Sequence, residues 1–106
     1  MKERVKIQID ELLENGSKKA IDVNGHKIAV FYIEGKYYAM DDFCTHEEAY
    51  LSEGFLNGYE IQCPLHSSRF DVRTGAVLCM PAFQGVKTYP VHKDENGVYI
   101  EIGESN

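Results

Sequence analysis

Two short segments of this chain carry residue types that bind metals, Cys44-Thr45-His46 and Cys63-Pro64-Leu65-His66, with sixteen residues between them. Each segment offers one thiolate and one imidazole, so together they would present two Cys and two His. This set suits a 2Fe–2S cluster in which two imidazoles replace two thiolates on one iron. It is also a ligand set for a structural zinc ion. The ligand types alone leave both metals open.

The spacing within each segment indicates a loop rather than a helix or a strand. A single residue separates Cys44 from His46, so both side chains can leave one tight turn. Pro64 fixes its own φ and restricts Cys63 to an extended conformation. The residues between the segments are enough for a hairpin that returns the second loop beside the first. We therefore predict two loop tips that face one another.

The residues around the two segments resemble those of the Rieske iron–sulfur family. The resemblance covers about Val5 to Ile102. Within the family, the chain resembles the small ferredoxins that feed ring-hydroxylating oxygenases. The matching stretches are Cys44 to His46, Cys63 to His66, Phe70-Asp71, Val72-Arg73-Thr74-Gly75 and Met80-Pro81-Ala82. Zinc fingers usually pair Cys with Cys and His with His in sequence, whereas here each segment is mixed. The flanking matches therefore favour the cluster over zinc.

The resemblance implies one Rieske 2Fe–2S cluster per chain. Cys44 and Cys63 would bind one iron, and His46 and His66 would bind the other, nearer the surface. The neutral imidazoles make this centre less negative than an all-Cys cluster, which raises its reduction potential. Residues 80–82 would form a third loop over the cluster.

Three positions depart from the high-potential members of the family. Ala49 and Leu65 stand where those proteins have two further Cys, so their loop disulfide cannot form here. Ser68 fits the position of a hydroxyl donor to a cluster sulfur, but Phe70 replaces the Tyr that supplies a second donor. Because such donors stabilise the reduced cluster, we expect a potential in the lower part of the roughly −150 to +300 mV Rieske range.

The composition is that of one small domain, 1–106, with 106 residues and a formal net charge of −6. This charge argues against a nucleic-acid partner. No apolar run is long enough for a membrane span, and the charged N-terminus lacks a secretory signal, so we expect a cytoplasmic protein. Cys79 is left without a partner in this scheme, as suits a reducing compartment, and we expect it to be a buried small hydrophobe.

Acidic residues gather near the first loop: Asp41, Asp42, Glu47, Glu48 and Glu53. They are either an ordinary solvated surface or a negative rim that steers a basic redox partner.

The pattern of apolar residues predicts an all-β fold. Short runs with strand periodicity alternate with turn dipeptides, among them Asn24-Gly25 and Glu34-Gly35. Strands are expected at Val5–Ile9, 20–23, 27–33, 36–40, 86–91 and 98–102, with a helical turn at 10–14. Two short hairpins, turning at Gly58 and at Thr74-Gly75, lie between these strands. We predict a Rieske-like antiparallel β-sandwich with a small cluster-binding β subdomain, about 42–82, inserted between its strands.

The function expected from this reading is one-electron transfer without catalysis. The chain has no nucleotide-binding glycine fingerprint, so a separate flavin-dependent ferredoxin reductase would supply electrons and a terminal oxygenase would accept them. We expect a monomer with no membrane partner. Two alternatives remain: a Rieske-like small subunit of another reductase complex, such as a nitrite reductase, and a zinc-stabilised interaction module.

Substitutions at the spaced motif should separate ligands from other histidines. His66→Cys and Cys44→Ser should abolish a Rieske electron paramagnetic resonance (EPR) spectrum, because each removes a proposed ligand. His26→Ala and His92→Ala are the controls and should retain it, since both lie outside the motif. An unchanged spectrum in the Cys44 variant would remove Cys44 from the ligand set.

Overall fold

The computed structural model describes residues 2–10, 12, 14–43, 49–64, 68–79 and 85–103, without the side chains of Lys2 and Cys79. These residues form eleven strands and one 3₁₀ helix, Leu51–Glu53, which confirms the all-β prediction. The strands are β1 Lys2–Ile7, β2 Ser17–Val23, β3 His26–Ile33, β4 Lys36–Asp41, β5 Phe55–Asn57, β6 Glu60–Gln62, β7 Arg69–Asp71, β8 Val77–Cys79, β9 Thr88–Tyr89, β10 Val91–Asp94 and β11 Gly97–Gly103.

Two tight turns join β2, β3 and β4 as the sequence predicts. Asn24 and Gly25 have φ values of 52° and 87°, and Glu34 and Gly35 have φ values of 52° and 80°. Positive φ at both central residues defines the turn type whose twist matches a two-residue hairpin. The register therefore pairs Val23 with His26 across the first of these turns.

The strands form three antiparallel sheets. The outer sheet has the order β1-β11-β10, the central sheet β2-β3-β4-β9, and the insert sheet β5-β6-β7-β8. The outer and central sheets make the predicted sandwich. The insert sheet is made of the two predicted short hairpins, which lie between β4 and β9 in the chain.

Two buried clusters lie on opposite faces of the central sheet. The sandwich core fills the space between the outer and central sheets with Ile7, Leu12, Val23, Ile28, Val30, Ala39, Tyr89, Val98, Ile100 and Ile102. The insert core lies between the central and insert sheets and contains Ala29, Phe31, Ile33, Met40, Ala49, Leu51, Ile61, Cys63, Phe70, Val72 and Val86. Alternate residues of β3 enter the two cores, because successive side chains of a strand point to opposite faces. The insert thus forms a third layer.

The predicted strand over 86–91 is wrong in its bounds. Thr88 and Tyr89 pair with β4 in the central sheet, and Val91 begins a second strand that pairs with β11 in the outer sheet. Pro90 lies between them and has no N–H to donate to a ladder, while its carbonyl accepts from the Glu101 N–H at 2.9 Å. The chain changes sheets at this proline. The predicted helical turn at 10–14 includes residues 11 and 13, which lie outside the described residues.

Val86, which follows β8 in the chain, makes two close backbone contacts with Gly75. The Val86 N–H donates to the Gly75 carbonyl at 2.8 Å, and a Cβ added at Gly75 would lie 1.8 Å from the Val86 carbonyl oxygen. Gly75 is therefore required by both space and its φ of 79°. The predicted third loop, residues 80–82, lies outside the described residues.

Gly75→Ala and Gly35→Ala form a matched pair. Both glycines have nearly the same positive φ, but a Cβ at Gly35 would meet nothing within 4 Å. Gly35→Ala should cost about 1 kcal/mol of left-handed strain and lower the thermal midpoint by about 4–8 °C. Gly75→Ala should lower it at least about twice as far, because the clash with Val86 forces the backbone apart. Equal shifts would contradict this account.

Candidate metal centre

The first motif belongs to the segment between Phe43 and Tyr50, two residues that contact one another. The chain leaves the central sheet after Asp41, and Phe43 forms an isolated antiparallel bridge with Tyr50. Their rings stack edge to face with centroids 5.9 Å apart. Cys44 and His46 belong to the segment between these two residues and lie outside the described residues.

The second motif lies in the loop between β6 and β7. Gln62 pairs with Arg69 at the base of this loop, and the Cys63 N–H donates to the Ser68 carbonyl at 2.9 Å. Cys63 is 1% exposed and Ser68 is fully buried. Both predicted residues therefore face the interior at the start and end of the loop. His66 and Leu65 lie outside the described residues.

The bases of the two loops adjoin one another. Ala49 and Leu51, on the returning side of the first loop, share the insert core with Cys63. Ala49 stands where a loop disulfide would need a Cys, and here it contributes a buried methyl group. The described part of the site thus places one predicted thiolate ligand, Cys63, in the same core as Ala49 and Leu51, which follow the segment with Cys44 and His46. This arrangement and the donor set fit a 2Fe–2S cluster held between two loops.

Within the described residues, no group of three or more His, Cys, Asp and Glu is placed to hold a metal ion. Three of the four predicted ligands fall outside this part of the chain. Nor does any helix in the described ranges have the length and apolar character needed to cross a membrane.

Asp42 is not part of an exposed acidic rim. Its side chain is buried, and both carboxylate oxygens accept hydrogen bonds from Ser52, from the N–H at 2.6 Å and from Oγ at 2.7 Å. Burial raises the pKa of this carboxyl, and the bonds from Ser52 oppose that rise. Asp41 accepts from the Tyr89 hydroxyl at 2.5 Å, and Glu53 is exposed. Glu47 and Glu48 lie outside the described residues.

The stretch from Asp71 to Gly75 forms the turn at the other end of the insert sheet. The Asp71 carboxylate accepts from the Arg73 N–H at 2.8 Å and from its guanidinium at 2.9 Å, which lowers the pKa of this carboxyl. The Arg73 guanidinium also lies 4.1 Å from the Tyr59 ring centroid, and Tyr59 stacks edge to face on Tyr38 of β4. This stack, which the sequence did not reveal, joins the insert to the central sheet.

His26 and His92, the two histidines outside the motifs, have structural contacts. His92 Nε2 lies 2.6 Å from Glu101 Oε2 on the neighbouring strand β11. The His26 ring packs edge to face on Tyr89 at 6.5 Å. Both lie on strands of the sandwich, His26 on β3 and His92 on β10. The Cys79 side chain lies outside the described part of the chain, so its burial stays a prediction.

The fold and the two motif-bearing segments define a small all-β protein whose predicted donor set suits a metal centre. Residues 3–90 match the Rieske [2Fe-2S] domain. The chain therefore belongs to the Rieske [2Fe-2S] domain family, which confirms the resemblance seen in the sequence.

Several relatives and solved structures similar to this chain are ferredoxins of dioxygenase systems. The ferredoxin component of the naphthalene 1,2-dioxygenase/salicylate 5-hydroxylase systems of Ralstonia sp is 51% identical over 94 residues, 89% of either chain. The ferredoxin of carbazole 1,9a-dioxygenase from Nocardioides aromaticivorans IC177 superposes with a TM-score of 0.85 at 36% identity, over 92% of this chain and 95% of that one. A chain from the complex of reduced oxygenase and oxidized ferredoxin in carbazole 1,9a-dioxygenase gives a TM-score of 0.83 at 32% identity, over 91% of this chain and 99% of that one.

These ferredoxins are the electron-carrying components of their systems and not the oxygenases. The match covers 89% of the Ralstonia ferredoxin component and 95% of the Nocardioides ferredoxin. The predicted Rieske-like sandwich is confirmed by the same structures.

Ser68 and Phe70 offer a test of how this site is tuned. Ser68→Ala should lower the reduction potential by roughly 40 mV, because loss of about 1 kcal/mol from one neutral hydrogen bond corresponds to that shift for a one-electron couple. Phe70→Tyr should raise it if the new hydroxyl, placed in the insert core, reaches a sulfur. Protein-film voltammetry resolves such shifts. An unmoved potential with an intact cluster would make Ser68 only a loop residue.

Proposed function

We propose that this chain is a one-electron carrier that holds one Rieske 2Fe–2S cluster through Cys44, His46, Cys63 and His66. It receives electrons from a flavin-dependent ferredoxin reductase and passes them to a terminal oxygenase such as an aromatic-ring dioxygenase. The observation that supports this proposal is the core shared by Cys63, which begins the second mixed Cys/His motif, with Ala49 and Leu51, which follow the first. The whole-length similarity to dioxygenase ferredoxins supports it.

The described residues would shape the environment of the centre. Cys63 and Ser68 are buried at the base of the second loop, and the insert core lies directly beneath them. An apolar, close-packed base excludes water from the thiolate side of the site and leaves few directions in which the ligands can relax. When bound, the cluster supplies a one-electron couple whose potential these surroundings set.

The imidazole side would be the outlet for the electron. We propose His46 and His66 as the ligands on this side. Phe43 and Tyr50, which flank the segment with His46, are 46% and 38% exposed. Large apolar side chains exposed in this way are typical of a contact surface rather than of a solvated one. A partner that covered them would bring its own redox centre close to the imidazoles.

The same proposal includes the bounds of the cluster-binding subdomain, the compartment of the protein and its oligomeric state. The cluster-binding subdomain would be residues 42–82, within which the insert sheet occupies 55–79. The protein would act as a cytoplasmic monomer, with the whole of 1–106 as one Rieske domain. Identity with the small subunit of another reductase, or with a zinc-stabilised module, would be decided by metal content and electron acceptor.

Metal analysis and electron delivery test this function. The purified protein should be red-brown, with about two irons and two acid-labile sulfides per chain and a Rieske EPR signal when reduced. Cys63→Ser should lose the iron, whereas the matched change Cys79→Ser should keep it. In stopped-flow mixing, the reduced protein should be reoxidised by a ring-hydroxylating oxygenase.

Two outcomes would contradict the proposal in different ways. A colourless protein with one zinc per chain would identify a structural zinc module. An intact cluster that reduces no oxygenase but is coupled to a nitrite reductase would favour the alternative of a reductase subunit.

A further inference from the structure

The carboxylate of Asp42 is buried only two residues before the first proposed ligand, Cys44. Taking a charged group out of water is costly unless it is fully hydrogen-bonded. Here both oxygens accept from a single residue, Ser52, at 2.6 and 2.7 Å. Bonds of this charge-assisted kind are stronger than neutral ones. They tie the residue that enters the first loop to the 3₁₀ helix that follows it.

The backbone around this pair is fixed to the central sheet. The Asp42 N–H donates to the Lys27 carbonyl on β3 at 2.9 Å, and the Leu51 N–H donates to the Asp42 carbonyl at 3.1 Å. From β2, Lys18 Nζ donates to the Ser52 carbonyl at 2.6 Å. Both ends of the first loop are thus attached to the same rigid sheet, independently of any metal.

Gly54 connects the 3₁₀ helix to the start of the second loop, because its backbone lies against that of Gln62. It is buried, with φ of −84° and ψ of −162°, a backbone conformation that any residue can adopt. A Cβ at this position, however, would lie 2.0 Å from the Gln62 carbonyl oxygen. Gln62 immediately precedes Cys63, so the glycine lets the two backbones touch at the entrance to the second loop.

We infer that Asp42, Ser52 and Gly54 form a loop brace that sets the distance between the two ligand loops. The three residues make a continuous path from the entrance of the first loop, through the 3₁₀ helix, to the residue before Cys63. They are positioning residues, since they act through the loops rather than on the metal. This inference rests on the proposed function, because only a cluster shared by both loops needs their separation to be held.

Such a brace has a physical purpose in an electron carrier. A ligand frame that is fixed before the electron arrives changes little on reduction, as preorganised sites do. Loosening one end should broaden the distribution of ligand geometries and make it easier for the cluster to leave. A residue that only stabilises the sandwich would lower the melting temperature without either effect.

Ser52→Ala is the main test, with Ser17→Ala as its matched control. Ser17 Oγ likewise makes a local hydrogen bond, accepting from the Glu14 N–H at 3.2 Å, but it lies at the start of β2 and has no link to Asp42 in the described hydrogen bonds. In the dithionite-reduced protein, Ser52→Ala should broaden the Rieske EPR lines. In the as-purified protein it should speed cluster loss to a chelator about tenfold, the factor expected for one lost charge-assisted hydrogen bond. Ser52→Thr, which keeps the hydroxyl, should restore both properties. Gly54→Ala should have the same effect as Ser52→Ala, through the other end of the brace.

A second measurement does not depend on iron. Hydrogen–deuterium exchange of the peptide that contains Cys63 should be faster in Ser52→Ala than in the wild type and unchanged in Ser17→Ala, because the brace couples the two loop bases. If the wild type has no Rieske signal but this coupling is seen, the function is wrong and the brace stands. If the wild type has the signal, but neither EPR lines, cluster loss nor exchange respond to Ser52→Ala, the brace is refuted.

Discussion

The central sheet is apolar on both faces, and every other part of the structure depends on this. Ile28, Ala29, Val30 and Phe31 of β3 are each 0% exposed, although successive side chains point in opposite directions. One face closes the sandwich and the other supports the insert sheet with its two loops. A continuous apolar run in place of alternation is the expected signature of a strand covered on both sides. The described residues that flank the two motifs therefore rest on a sheet that is covered on both faces.

Local features of the fold could be predicted from the sequence, and non-local ones could not. Asn24-Gly25 favours positive φ at both residues whatever the arrangement of the strands in the sheet, so the hairpin and its position were predictable. The division of 86–91 at Pro90 depends on which distant strand each half meets. No pattern within those six residues gives that information, because β4 and β11 select the partners.

The candidate site also has features that could be predicted from the sequence and features that could not. The two motifs were visible as spacing, and the family match followed from them. The role of Asp42 was not visible, since it stands beside Asp41 in an acidic stretch and its partner Ser52 is ten residues away. The position of Asp42, just before the first motif, is the one hint that could have separated it from its neighbours. In the structure, Asp42 is thus a buried, hydrogen-bonded carboxylate and not an exposed surface charge.

The change of sheets at Pro90 has a consequence for how the molecule opens. A single short stretch contributes β9 to the central sheet and β10 to the outer sheet, and the Pro90 carbonyl bonds to β11. The two layers of the sandwich cannot separate without breaking this stretch, so they should unfold as one cooperative unit. In the described residues, no strand pairing joins the insert sheet to the two sheets of the sandwich. Release of the insert would therefore break no strand ladder of the sandwich, but it would expose the insert-core face of the central sheet to water.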